Sequence, residues 1–329
     1  MQSPAFEGPY FDELAIGQEF GGAPGLTLTP GLAAAHQAIT GDRLALALDH
    51  ELCHLVTGGG PVASPSLVWD VAIGQSTMVT QHVKANLFYR GLAFHRTPRL
   101  GDTLRTSTRV VALRQNRPRE GRAPTGLAVL RITTADQQRR PVLDFWRCAM
   151  LPLRDQARLT GHADDLDSAG YPADPARMKA LAGGWRLDRF ARQTAGPRFC
   201  ELRKGQSWPV AGGDVVSGAP ELARLTLNVA MVHHDAAASG GARLVYGGHV
   251  IGLALAQATR SLPSIVTVAA WDSCDHLGPV HEGDTLYSTI SVERVDDPLV
   301  HLRSQVRAQG PGAPAPRDVL DWRYVAVLA

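Results

Sequence analysis

The sequence predicts an α+β protein of two related halves, each an antiparallel sheet curled around one buried helix. Three observations predict it: segments that recur in the same order, one strongly apolar helix per half, and period-two strand patterns after each helix. Phe11-Asp12-Glu13-Leu14-Ala15-Ile16-Gly17-Gln18 is answered by Phe199-Cys200-Glu201-Leu202-Arg203-Lys204-Gly205-Gln206. Gly101-Asp102-Thr103-Leu104 returns as Gly283-Asp284-Thr285-Leu286, and Val142-Leu143-Asp144-Phe145-Trp146 returns as Val319-Leu320-Asp321-Trp322. The interval between partners shortens along the chain, as small changes in loop length would make it.

In the second half, Gly247 to about Leu262 carries Val250, Ile251, Leu253, Ala254, Leu255 and Ala258, apolar nearly all round, which predicts a helix covered on most sides. Its counterpart runs from Ser64 to Val79 with Leu67, Val68, Val71, Ala72 and Ile73. Strand patterns follow: Leu286, Ser288, Ile290 and Val292 share one face, then Val300, Leu302, Ser304 and Val306, then the run from Val319 to Leu328. A helix this apolar needs a sheet wrapped around it. The division expected is a first half over 1–154, a linker over 155–190 and a second half over 191–329. The linker is polar, broken by Gly and Pro as in Asp164-Asp165-Leu166-Asp167-Ser168-Ala169-Gly170-Tyr171-Pro172, and is expected to bury little.

With 329 residues, 44% hydrophobic and 19% charged, the chain has room for two such cores. Its 33 basic and 31 acidic residues nearly cancel, so no broad field draws a nucleic acid, and only Arg114-Gln115-Asn116-Arg117-Pro118-Arg119-Glu120-Gly121-Arg122 is locally basic. That run reads first as a solvated hairpin tip. Met1 to Gly8 has neither a basic nor an apolar leader segment, and no later stretch is apolar enough to span a membrane, so the expected location is cytoplasmic. Cys53, Cys148, Cys200 and Cys274 are widely spaced with no C-x-x-C pair, and are expected to be buried free thiols.

The most informative stretch is Asn228 to Gly248. Asn228-Val229-Ala230-Met231-Val232-His233 sets an amide and an imidazole five positions apart, and Tyr246-Gly247-Gly248-His249 then opens the buried helix. The first N–H groups of a helix lack intrahelical partners and sit at the positive end of its dipole, so they can stabilise charge developing on a carbonyl oxygen. Glycine admits close approach to that backbone. A base-competent His beside such an end suits thioester chemistry through an enolate; a packed histidine with a packing glycine pair is the alternative. The first half has Gly41-Asp42-Arg43-Leu44-Ala45-Leu46-Ala47 at the equivalent place, with Ala47 where the imidazole would stand. One site per chain is expected.

This stretch resembles the hydratase loop of MaoC-like, R-specific enoyl-CoA hydratases, and within them the double hot-dog mesaconyl-CoA hydratase (β-methylmalyl-CoA dehydratase) group. Leu227 to His233, Arg243-Leu244-Val245-Tyr246-Gly247-Gly248-His249-Val250-Ile251 and Glu282-Gly283-Asp284-Thr285-Leu286-Tyr287 carry the resemblance in the second half. Ala85-Asn86-Leu87-Phe88-Tyr89 and Val111-Ala112-Leu113-Arg114-Gln115-Asn116 carry it in the first. It implies a double hot-dog lyase that hydrates a short branched enoyl-CoA, with mesaconyl-CoA foremost, and no cofactor beyond the coenzyme A of its substrate. It further implies His233 as acid/base, Asn228 where broader hydratases carry Asp, and Gly247 as oxyanion glycine. An amide can orient water but cannot take its proton at neutral pH. Arg243 and His249 are candidates for the substrate's free carboxylate, Tyr246 and Gly248 for substrate contact, and the basic run for coenzyme A phosphates. Hot-dog sheets commonly associate, which leaves a homo-oligomer open.

His50-Glu51-Leu52-Cys53-His54 matches the H-E-x-x-H zinc pattern, but Gly58-Gly59-Gly60-Pro61 ends its helix early and no third-ligand motif follows, so no metal is expected. Walker A, G-x-G-x-x-G and G-x-S-x-G signals are absent. Hydration of another enoyl-CoA, thioester hydrolysis and non-catalytic acyl-CoA binding remain the competing functions.

Overall fold

The computed structural model describes residues 7–329, so Met1 to Phe6, on which most of the leader-segment reading falls, lie outside it. The first half opens with short strands β1 (Glu19–Phe20) and β2 (Leu26–Thr27) and helices α1 (Pro30–Thr40), α2 (Ala45–Leu48) and α3 (His50–Thr57). Its central helix α4 (Pro65–Gln75) passes into a 3-10 turn (Ser76–Thr80) and then β3 (Ala85–Phe94), β4 (Thr103–Gln115), β5 (Thr125–Ala135) and β6 (Pro141–Pro152). Helices α5 (Pro175–Leu181) and α6 (Leu187–Gln193) lead to the second half. There β7 (Ser207–Pro209), β8 (Asp214–Val215) and α7 (Ala219–Leu225) precede the central helix α8 (Gly247–Ser261) and strands β9 (Ile265–His276), β10 (Thr285–Asp296), β11 (Leu299–Gln309) and β12 (Arg317–Leu328). This is the α+β double hot-dog arrangement.

The two curled sheets join edge to edge. The strand order is β1, β4, β5, β6, β3, β9, β12, β11, β10, β7, and the seam is β3 on β9, where Tyr89 lies opposite Cys274 and Leu92 opposite Trp271. All eleven residues of α4 are buried, as are twelve of α8, so each helix is sheathed as its composition requires. Across the seam the α4 residue Trp69 meets Trp271 on β9 and Trp322 on β12 edge-on, with ring centres 4.8 and 6.0 Å away. Each such aromatic contact adds about 0.5–1.5 kcal/mol beyond burial, so the halves share one core.

The two helix starts differ. Ser64 caps α4, its Oγ accepting from Ser66 N at 3.2 Å, and Pro65 fills the first helical position. Asp42 reinforces that end: one carboxylate oxygen accepts from the hydroxyls of Ser64 and, at 3.1 Å, Ser66, while the other accepts from Leu44 N at 3.0 Å. Tyr246, at the corresponding position of α8, makes no side-chain cap. One helix end is closed by its own side chains, and the other has no side-chain cap.

Two expectations change. The 155–190 stretch buries more than its composition suggests: Leu166, Ala173, Met178 and Ala182 are buried, the last three with Phe190 in a second apolar cluster on the outer face of the seam. Spaced apolar residues suffice there because the sheet supplies the other surface. Cys53, Cys148 and Cys274 are buried free thiols, but Cys200 is exposed at the 3-10 turn Phe199–Glu201. The H-E-x-x-H residues His50, Glu51 and His54 are exposed on α3, which ends at Gly58 with φ 69°. Among the described residues no three metal-ligating side chains converge, and no helix is long and apolar enough to cross a membrane.

Candidate active site

The second-half loop is held by the first half. Val229 N donates to Thr77 Oγ1 at 2.8 Å and Met231 N to Gln81 O at 2.9 Å, so the turn after α4 carries the Asn228–His233 segment. Leu227, just upstream, has φ 60°, a conformation unfavourable for a side chain with a Cβ and kept only where surroundings enforce it. The loop is also tied to itself, since His234 Nε2 donates to Asn228 O at 2.6 Å.

His233 is 5% exposed and bonds through Nδ1 to Leu244 O at 2.7 Å. A carbonyl only accepts, so Nδ1 carries the proton and Nε2 keeps its lone pair. Burial pulls this imidazole down to about 4, against the Leu244 bond, with the charges of His234 and Arg147 adding to the fall. The ring is therefore neutral near pH 7. Asn228 is buried too; its Oδ1 accepts from Ala230 N at 2.9 Å, which fixes the amide orientation and leaves Nδ2 as a donor without an acceptor.

A cleft of about 290 Å³ brings His233, Leu244, Gly247, Val250 and His276 together with Lys84, Asn86 and Leu87 of β3 and the turn before it. Gly247 is the first residue of α8, so its N–H has no carbonyl one turn back to bond. A Cβ at Gly247 would stand 2.7 Å from His276 Nε2, so only glycine lets that ring close against the helix start. Nε2 of His276 is shut from solvent with no partner among the described residues, and burial draws this ring to about 4 as well.

Not every residue singled out in the sequence faces the cleft. Tyr246 is buried beside it, its ring 5.8 Å from that of His233 and its hydroxyl donating to Asp70 O at 3.1 Å. Gly248 turns inward, where a side chain would collide with Asp70 Oδ1. His249 is fully buried, neither ring nitrogen bonded among the described residues, and is drawn to about 4 by burial and then by His36. Arg243 is on the surface, and its guanidinium is already paired with Glu282 at 3.1 Å. In the first half Asp42 is spent on capping α4, and Ala47 offers no base.

Residues that sequence spacing did not single out also gather here. His276 and Asn86 come from strands on either side of the seam, and a buried His36–Asp70 pair at 2.9 Å lies beneath Gly248. Burial raises the Asp70 carboxyl despite His36. Only the packing of one half on the other makes them neighbours; Asn86 lies in a stretch that carries the resemblance, but no local motif announces His276 or the His36–Asp70 pair.

No family model matches the chain. A solved structure of a conserved hypothetical protein from Mycobacterium tuberculosis, described as having a double hotdog fold, is 54% identical with a TM-score of 0.89, covering 98% of this chain and 99% of that one. A MaoC domain dehydratase structure from Chloroflexus aurantiacus shares the fold at 23% identity and a TM-score of 0.84, covering 99% of both chains. The β-methylmalyl-CoA dehydratase of Chloroflexus aurantiacus is 28% identical over 299 residues, 88% of this chain and 83% of the relative. Matched from end to end at 54% identity, the chain belongs to one double hot-dog family with the Mycobacterium tuberculosis protein, and it is more distantly similar to the β-methylmalyl-CoA dehydratase.

Proposed function

We propose that this lyase reversibly hydrates mesaconyl-CoA to β-methylmalyl-CoA. The observation that carries the reading is His233, a neutral imidazole whose tautomer Leu244 sets, in the same cleft as an uncapped helix start. The β-methylmalyl-CoA activity of the Chloroflexus relative supports the substrate. In this reading the thioester oxygen lies at Gly247 N–H. Asn228 Nδ2 donates to the oxygen of a water, and His233 Nε2 takes a proton from it as that oxygen bonds to the β-carbon. The double-bond electrons move into an enolate, whose oxygen Gly247 N–H and the α8 dipole stabilise. His233 returns the proton to the α-carbon, which balances the addition of one water. No cofactor enters.

The coenzyme A arm leaves past Lys84 and Leu87. Leu87 also lines a second recess with Arg117, Arg119 and Arg122, the tip between β4 and β5, where cations suit phosphates. The test follows mesaconyl-CoA by its enoyl absorbance and by mass, with a thiol reagent present. Hydration predicts loss of absorbance and a product heavier by one water, with the reagent silent. Release of thiol would favour thioester hydrolysis, and binding without change would favour a carrier role.

A further inference from the structure

Arg147 is fully buried in the β6 row that faces the central helices, with Phe145 and Ala149 on the same side. An arginine keeps its charge in proteins, and burying that charge is tolerable only with compensation. What surrounds it is neutral. Nη2 donates to Thr80 Oγ1 at 2.6 Å and Ser76 O at 3.1 Å, whereas Nε and Nη1 have no acceptor among the described residues. The groups whose charge reaches Arg147 are the phenols Tyr89 and Tyr246, the Tyr89 hydroxyl lying close enough to be a loose hydrogen-bond partner.

The neighbours repeat the imbalance. Tyr89, opposite Arg147 in the β3–β6 register, has a buried hydroxyl that makes no well-aligned hydrogen bond among the described residues and only a loose approach to the guanidinium, and Asn228 Nδ2 is a buried donor with no acceptor among them. Tyr89 packs edge-on to His276, which lines the cleft, with ring centres 5.7 Å apart. The guanidinium thus stands one side chain behind the cleft wall. It is near enough to His233 for its charge to be felt there. A set of buried donors with a spare cation lacks one thing, an anionic acceptor.

We infer that Arg147, with the Tyr89 hydroxyl beside it, receives the free carboxylate of a dicarboxylic enoyl-CoA and so sets substrate choice. This rests on the hydratase reading for where the thioester lies. With the thioester oxygen at Gly247 and coenzyme A running out past Leu87, the far end of a short acyl chain points inward. Arg243, the cation that sequence proximity favoured, is outside and already paired. A purely bracing role for Arg147, holding the Ser76–Thr80 turn beneath the hydratase loop, is the rival explanation.

Binding separates the two without depending on turnover. Titration calorimetry would compare methylsuccinyl-CoA, which is saturated and unreactive, with neutral 2-methylbutyryl-CoA on wild type, Arg147→Met and Arg147→Lys. Wild type is expected to prefer the dicarboxylic ester by about 100-fold, the scale of a buried charge pair. Arg147→Met abolishes that preference while the neutral ester binds as before, and Arg147→Lys, which lacks the planar fork, retains part of it. Equal weakening of both esters by Arg147→Met would establish the brace and overturn the inference, as would a wild type without preference. If Arg147→Met does not fold, an undiminished preference in Arg147→Lys overturns it. Should the preference appear while mesaconyl-CoA is not hydrated, the hydratase reading falls and the carboxylate site stands.

Discussion

His233 gives its Nδ1 proton to Leu244 O at 2.7 Å, and that bond decides which ring nitrogen keeps the lone pair. Because burial draws the ring to about 4, the base form of the free enzyme persists well below neutrality. We predict that kcat/KM stays level from about pH 8 to pH 6 and falls only as the pH approaches that value. A pH–rate profile with its acid limb centred near the ordinary 6.5 would show that the ring is not held neutral by its surroundings.

The same burial makes the fold sensitive to acid. His233, His249 and His276 are each drawn from 6.5 to about 4, so between those values the unfolded chain binds protons that the folded chain refuses. Their contribution is complete above pH 6.5 and is lost as the pH falls toward 4. Denaturant melts across this window should show stability dropping with pH. His249→Gln, which cannot titrate, should flatten the slope. An unchanged slope would contradict the burial of His249 as an uncharged ring.

Gly74 on α4 touches the backbone of Thr226, two residues before Asn228, so closely that a Cβ would collide with the Thr226 carbonyl. Gly74→Ala should therefore displace the hydratase loop from outside the site. The expected cost is about 1–3 kcal/mol from overpacking, together with lower kcat. Thermal melts and steady-state rates measure both. A variant with wild-type rate would mean that the loop does not depend on this contact.

Asp42 should matter for folding and not for chemistry. Its carboxylate is engaged by Ser64, Ser66 and Leu44 N at the α4 end, where Asp42→Ala should lower stability by about 1–2 kcal/mol. The rate per folded molecule should be unchanged. A large loss of kcat in the folded variant would give the first half a catalytic part.

The duplication, both central helices and the strands after them were legible because each is written in local periodicity. That His233 and Gly247 share one cleft was legible for a related reason, since they lie within one loop and the helix it feeds, whereas Asn228, also proposed from that loop, is not among the residues lining the cleft. The remaining polar surroundings were not legible. Arg147 sits on a strand whose pattern would suit an apolar residue, and its meaning comes from Thr80, Tyr89 and Tyr246, drawn from three other segments. His276 gains its place from contact with Gly247. Arg243 shows the converse: nearness in sequence to the site suggested a role, yet its side chain turns to Glu282.

The central claim is a single imidazole working opposite the α8 start, and His233→Ala tests it most directly. Turnover of mesaconyl-CoA should fall by about 10²–10⁴-fold, the usual share of general acid–base catalysis, while circular dichroism and binding of a saturated thioester remain as in wild type. Wild-type turnover by folded His233→Ala would contradict it.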